Sequence, residues 1–286
     1  MKKYLLSAAL IPLGAFGYSL ADTSPTTTLS PAILEDIKSG KPMKLEYQIK
    51  ASAWVFILPV TGKANFTAEL KPDTYRIKGK VKTTGLADVL IDYDLDVAAS
   101  GYVTTAGLDS YAFVSQNTDG KKNRRVDLKF LQDDFEMLAV PRFGNLGEPV
   151  ATKDQVLQAK DPVTALISLA LEPREAGANP CGGPVKVFDG RQLTYLHMTN
   201  HGLKAVKTDA WSGEAWECHI KMEKVAGYKA GEKNRDTLTG IDGPIRVWLA
   251  PLPNGATIPV RIEAETDDIG TVVLQTSKLN FTPLEG

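Results

Sequence analysis

From Leu45 onward the chain alternates apolar and polar residues with a period of two. Leu45, Tyr47, Ile49 and Ala51 fall on one side and Glu46, Gln48 and Lys50 on the other, and Ala64, Phe66, Ala68 and Leu70 alternate likewise with Lys63, Asn65, Thr67 and Glu69. Successive side chains of a strand point to opposite faces of its sheet, so each run predicts a strand with one buried and one wet face. Turn residues at 59–62 and 71–74 separate the runs and predict an antiparallel meander. The next pair is the clearest: Tyr75, Ile77, Gly79 and Val81 alternate with Arg76, Lys78, Lys80 and Lys82, then Ile91, Tyr93, Leu95 and Val97 with Asp92, Asp94 and Asp96. Four cations on one strand and three acids on the next are accounted for by pairing across neighbouring strands, worth about 0.2–1 kcal/mol per pair. An anionic-ligand patch is the other reading of the same stripe.

Further strands are predicted at 102–105, 110–115, 124–130 and 135–140, and later at 185–188, 192–198, 213–225, 245–250, 257–265 and 270–281. Turns are expected at Asp189-Gly190, at 200–202 and at 253–255. Between the two sets lies one helical pattern, 161–171. Asp161 suits the N-cap and Pro162 the first helical position, and Val163, Leu166, Ile167, Ala170 and Leu171 recur at helical spacing before Pro173. Its apolar stripe has to be buried, so the helix is expected to lie on a sheet as a plug or lid. A short surface helix is expected near 30–37, with Ser30 and Pro31 at its start. The resulting organisation is a tail of 22–44 followed by a single β-rich domain of 45–286. That domain has halves of 45–140 and 184–281 about the helix, joined into one continuous sheet.

The first twenty-one residues read differently. Lys2 and Lys3 precede the uncharged run Leu5 to Leu20, and Ser19-Leu20-Ala21 supplies small residues for cleavage, so 1–21 reads as a secretory signal peptide with the mature chain starting at Asp22. The expected location is the periplasm. Removing Lys2 and Lys3 from 33 basic residues leaves 31 against 34 acidic ones, a formal charge of about −3 that argues against a nucleic-acid partner. No later segment approaches the ~18 apolar residues of a spanning helix. The two cysteines, Cys181 and Cys218, read in an oxidising compartment as a disulfide, with two free thiols or a metal pair as the alternatives.

Candidate chemistry is sparse. His197 and His201 have the i, i+4 spacing of a helical metal pair but are predicted at a strand end and turn, and the Glu of H-E-x-x-H is missing. His219 would complete a three-ligand site only by folding against them. Trp211-Ser212-Gly213 lacks the first glycine of a nucleophile elbow. Asp133-Asp134 and Asp267-Asp268 fall in turns, and Pro180-Cys181-Gly182-Gly183-Pro184 opens no phosphate-binding helix. No catalytic residue, metal ligand or cofactor is therefore assigned. The aromatic residues are the remaining candidates for binding. Residues 53–58, with Trp54 and Phe56 opposite Val55 and Ile57, are apolar on both faces. With Trp211, Trp216 and Trp248 they fit either a packed core or a cavity for an apolar ligand.

Several segments, in order, carry a resemblance: Asp161-Pro162-Val163-Thr164-Ala165-Leu166, Val187-Phe188-Asp189-Gly190-Arg191, Cys218-His219-Ile220-Lys221 leading to Ala226-Gly227-Tyr228, and Val247-Trp248-Leu249-Ala250 before Ile258-Pro259-Val260-Arg261-Ile262. From Leu45 to Phe281 the chain resembles the bacterial domain-of-unknown-function family 3108. The resemblance implies a mainly β, strongly curved antiparallel sheet, a β-spiral or half-open barrel wrapped around the central helix, in the manner of periplasmic envelope-integrity proteins. It supplies no catalytic residues, and it fits a bridge from the Phe188 region to the Cys218 strand. The function expected is a non-enzymatic factor of the cell envelope that binds a protein partner or a lipid-like ligand and stays compatible with peripheral membrane contact. The alternative is a hydrolase of envelope polymers, for which His197, His201 or His219 would have to cluster with a carboxylate.

Overall fold

The computed structural model describes residues 28–55, 58–84, 93–118, 123–229, 241–266 and 270–284. The leader and its cleavage site, the turn acids 267 and 268, Asp92, Phe56 and the side chain of Trp54 lie outside the described residues. The elements in chain order are β1 (Thr28–Leu29), α1 (Ala32–Lys38), β2 (Met43–Val55), β3 (Leu58–Leu70), β4 (Thr74–Thr84), β5 (Asp94–Thr104), β6 (Gly107–Asn117), β7 (Arg125–Phe130) and β8 (Phe135–Val140). They continue as α2 (Lys153–Leu157), α3 (Pro162–Ser168), β9 (Arg174–Glu175), β10 (Val185–Phe188), β11 (Leu193–Lys207), β12 (Ser212–Ala226), β13 (Ile241–Pro251), β14 (Thr257–Thr266) and β15 (Gly270–Pro283).

Thirteen of these strands form one antiparallel sheet in the order β10-β11-β12-β13-β14-β15-β2-β3-β4-β5-β6-β7-β8. The C-terminal strand β15 pairs with β2, which joins the two halves of the chain into one ladder. The sheet is not closed into a barrel, since its end strands β8 and β10 share no ladder. They nevertheless approach, because Phe135 and Phe188 meet edge to face with ring centres 5.8 Å apart. The free side of β10 is occupied by the backbone of Lys160, whose N–H donates to Lys186 O and whose carbonyl accepts from Phe188 N–H, both at 2.9 Å. At the other end α2 packs against β8.

The period-two reading sets the faces. Leu45, Tyr47, Ala68, Leu70, Tyr75 and Ile77 are buried inward, while Lys63, Arg76, Lys78 and Lys82 point out. Lys82 stands opposite Asp94 and Lys80 opposite Asp96, as cross-strand pairing requires. Lys80 Nζ lies 2.7 Å from Asp94 Oδ1 and 3.2 Å from Asp96 Oδ2. The three groups are substantially exposed, so the network fixes register more than it adds stability. On the inner face Gly79 leaves room for its neighbour, since a Cβ there would lie 2.5 Å from Cδ1 of Phe66.

The structure departs from the sequence reading in several places. The turn expected at 59–62 lies inside β3, which already pairs with β4 at Thr61, and 174–175, expected in a loop, pair with 28–29 of the expected tail. Residues 94–104 form one strand instead of two, and β11 runs unbroken through the expected turn at 200–202, which is a register shift between Asn200 and Leu203. Gly202 takes φ +89° there, so the turn residues serve a bulge. Helix α1 is not a surface helix: Ile33, Leu34 and Ile37 are buried, and its N-cap is Pro31 without a side-chain cap. Helix α3 ends at Ser168, three residues early. Helix α2 was not anticipated, although Thr152 and Gln155 form a reciprocal capping box at its start.

Asp161 caps α3 as expected. Its Oδ1 accepts the N–H groups of Val163 and Thr164 at 3.0 and 2.9 Å, and Oδ2 accepts the Ser110 hydroxyl at 2.7 Å. The carboxyl is fully buried, and burial raises its pKa above the ordinary carboxylate range despite those donors. A folded pKa above the unfolded one means the folded state binds more protons in the interval between them. Stability from this group is therefore complete below about pH 4 and is lost as pH rises through the folded pKa. Asp161→Asn keeps an acceptor for the two N–H groups and cannot ionise. Urea unfolding from pH 4 to 8 is expected to show the difference between variant and wild type moving in favour of asparagine as pH rises, and parallel curves would sink the idea.

Candidate functional site

The inner face of the sheet and α3 do not fill the space between them. A cavity of about 460 Å³ remains. Strands β3 to β7 supply one wall through Phe66, Val81, Leu95, Val97, Phe113 and Val126, whose alternation with polar residues aims them inward. Helix α3 supplies the opposite wall through Pro162, Val163 and Leu166. Because Asp161 fixes the first turn of α3 to Ser110 on β6, that wall is held in register with the sheet. The helix touches β5 and β6 near one end of the strand order and β10 at the other.

The rim is polar and comes from the β10–β11 turn, which the Asp189-Gly190 pair signalled. Asp189 Oδ1 accepts the N–H groups of Arg191 at 2.8 Å and Gln192 at 2.6 Å. Gly190, at φ +97°, passes so close to β7 that a Cβ would meet Val126 Cγ1 at 2.7 Å. Burial pushes the Asp189 carboxyl above its ordinary range, with those N–H groups and the Arg191 charge pulling the other way. Arg191 lines the cavity too, and its buried Nε has no hydrogen-bond partner. Half-buried Phe143, carried by an exposed loop, completes the rim with the Arg124 guanidinium 4.7 Å and that of Arg191 6.0 Å from its ring centre.

The aromatic lining thus consists of Phe66, Phe113 and Phe143. The described tryptophan side chains are elsewhere: Trp248 is buried under Arg246 and Arg261, Trp216 packs on the cysteine cluster, and Trp211 packs on the main core. Cys181 and Cys218 lie at disulfide distance, with S–S 1.97 Å, among Met198, Val247 and Leu249. The loop that follows α3 is tied there to the middle of β12.

The histidines lie on the β11–β12 ladder away from the cavity lining. His197 Nε2 is 2.7 Å from Glu223 Oε2, and His219 Nε2 is 2.7 Å from Glu217 Oε1. His201 joins His219, the rings stacked 3.6 Å apart at 18°. Ring lone pairs lie in the ring plane, so stacked imidazoles direct them side by side and not to one point. Among the described residues no group of three His, Cys, Asp or Glu is placed to hold a metal ion.

The family model described as "Protein of unknown function (DUF3108)" matches residues 46–276. No curated protein matches the sequence. Among solved structures, the chain is similar to a β-barrel-like protein of the domain of unknown function DUF1849 from Brucella abortus, at 13% identity over 85% of this chain and 98% of that one, with a TM-score of 0.47. It is similar also to a DUF1329 family protein from Desulfovibrio piger ATCC 29098, at 9% identity over 88% and 90% of the two chains, with a TM-score of 0.24.

Proposed function

The chain belongs to the DUF3108 family, and from that premise we propose a non-enzymatic periplasmic factor of the cell envelope that holds the acyl part of a lipid-like ligand in a sheet wrapped around α3. The observation that carries the reading is the cavity between α3 and the inner face of the sheet. Its volume of about 460 Å³ falls in the range of small-molecule sites. Its lining is predominantly apolar, with Ser115 on the β6 wall and the other polar groups at the rim. The wrapped geometry is supported by the contacts of α3 with β5, β6 and β10, and by Phe135 meeting Phe188 across the two sheet ends. Export is supported by the leader read from the sequence, and by a cysteine pair of the kind that persists in oxidising compartments. None of the described helices is long and apolar enough to cross a membrane. The histidines do cluster with carboxylates on the β11–β12 ladder, the condition of the hydrolase alternative, but none of them lines the cavity on which this reading rests.

A chain-length series tests the proposal. Each buried methylene is worth about 0.8 kcal/mol, so affinity for straight-chain amphiphiles is expected to rise roughly fourfold per added methylene until the cavity is full, and then to level off. Leu166 is partly buried and faces the cavity from α3, so Leu166→Trp is expected to narrow it and make affinity level off at a shorter chain while leaving the thermal midpoint near that of the wild type. Calorimetric titration measures both. Flat affinity along the series, or a tryptophan variant that binds as the wild type does, would remove the cavity as the site.

A further inference from the structure

We propose that the head group held at this cavity is a carboxylate and that Arg191 is the residue that binds it. The inference rests on the cavity reading and names the ligand class that reading leaves open. Buried donors in folded proteins almost always have a partner, because an unmade hydrogen bond loses solvation without replacement. Arg191 Nε departs from this rule, and other parts of the Arg191 side chain line the cavity. A guanidinium cannot shed its proton to escape the cost, and its N–H groups form a planar fork that matches two oxygens of an oxyanion. An apolar tail lying between α3 and the sheet, with its oxyanion at the β10–β11 turn, would supply the missing acceptor.

The neighbours narrow the chemistry. Asp189 has both backbone N–H groups of the turn on its Oδ1, and no ion pair between it and Arg191 is recorded among the described residues. Arg191 acts on Asp189 through its charge without a direct ion pair, so its N–H fork is left for a ligand. A second carboxyl in the same lining penalises a dianionic head group more than a monoanionic one, which favours a carboxylate over a phosphate monoester. Arg124 adds a second cation against Phe143 at the rim, where it attracts an anion while its Nε stays on Pro141 O at 3.1 Å.

The test compares decanoate, decan-1-ol and decyl phosphate by calorimetry at neutral pH on the full mature chain. Wild type is expected to bind decanoate roughly ten- to a hundredfold more tightly than the alcohol, as a charge-assisted pair gives, and more tightly than the phosphate. Arg191→Gln is expected to bring decanoate down to the affinity of the alcohol and to leave the alcohol unchanged, with Arg191→Lys in between. Equal wild-type binding of acid and alcohol, or equal weakening of both in Arg191→Gln, overturns the assignment of Arg191 and leaves the cavity reading standing. Tighter binding of decyl phosphate overturns the carboxylate. Binding of none of the three overturns the cavity reading, and this inference with it. The wild-type comparison decides the matter even where a variant fails to fold.

Discussion

Gly227→Ala is expected to prevent the chain from reaching its native state, or to destabilise it by more than about 4 kcal/mol, a loss confined to a few mechanisms. Two penalties coincide. Gly227 has φ +82°, a conformation that costs an L-residue about 1–2 kcal/mol. The added Cβ would also lie 1.9 Å from Arg191 O, 2.6 Å from Arg191 C and 2.8 Å from Gln192 Cα. All three atoms are backbone, so no side-chain rotation relieves the overlap. Nor can Gly227 withdraw, since its N–H donates to Pro149 O at 2.8 Å and Tyr228 O accepts from Glu148 N–H at 3.0 Å. On its other side a Cβ on Gly147 would fall 2.2 Å from Gly227 C. Three chain segments stack here with only glycine between them. Gly243→Ala is the control: φ is +77°, but nothing stands within 4 Å, so only the conformational cost should appear. Urea midpoints measure both, and a Gly227→Ala midpoint no lower than that of the control would refute the overlap.

The second large effect belongs to Cys181 and Cys218. Their sequence separation of 37 residues gives, in the chain-entropy treatment, about 4 kcal/mol of constraint on the unfolded chain. Alanine is the suitable replacement at both, because the site is fully buried among Met198, Val247 and Leu249 and serine would add unsatisfied hydroxyls. For a chain of this size the loss corresponds to a thermal midpoint lower by roughly 10 °C. Scanning calorimetry of the double variant, and of wild type with and without reductant, should show reduced wild type converging on the variant. A reductant-insensitive midpoint within about 2 °C of the variant's would mean that no covalent tie forms.

The fold was legible wherever one residue's neighbours along the chain decide its state. Alternation placed the strands of the meander, the opposed charges of 76–82 and 94–96 gave their register, and Asp161-Pro162 located the start of α3. Asn200 and Gly202 were misread because a bulge and a hairpin use the same residues, and only the partner strand distinguishes them. Helix α1 was placed but given the wrong surroundings, since burial of Ile33, Leu34 and Ile37 depends on segments far away in sequence. The capping box of Thr152 and Gln155 was present in the sequence and overlooked behind a loop rich in proline and glycine.

The candidate site was less legible for a related reason. Phe66 and Leu166 each read as ordinary core residues, and their convergence on unfilled space depends on how far the sheet brings its ends together. Trp211, Trp216 and Trp248, the larger candidates by size, pack elsewhere. In the sequence Arg191 is marked only as the end of the run Val187 to Arg191, because the lack of a partner for Nε is a property of the folded neighbourhood.

The blocked end of the sheet at β10 has a consequence for life among other chains. An open sheet normally presents two rows of unpaired N–H and C=O groups, on which a stranger's extended segment can lengthen the ladder and begin an aggregate. Here one terminal strand, β10, is only four residues long and already bonded along its outer side to Lys160. The other, β8, is approached by α2 but keeps Leu138 and Val140 exposed, so any growth of the ladder by a foreign strand is confined to that one edge.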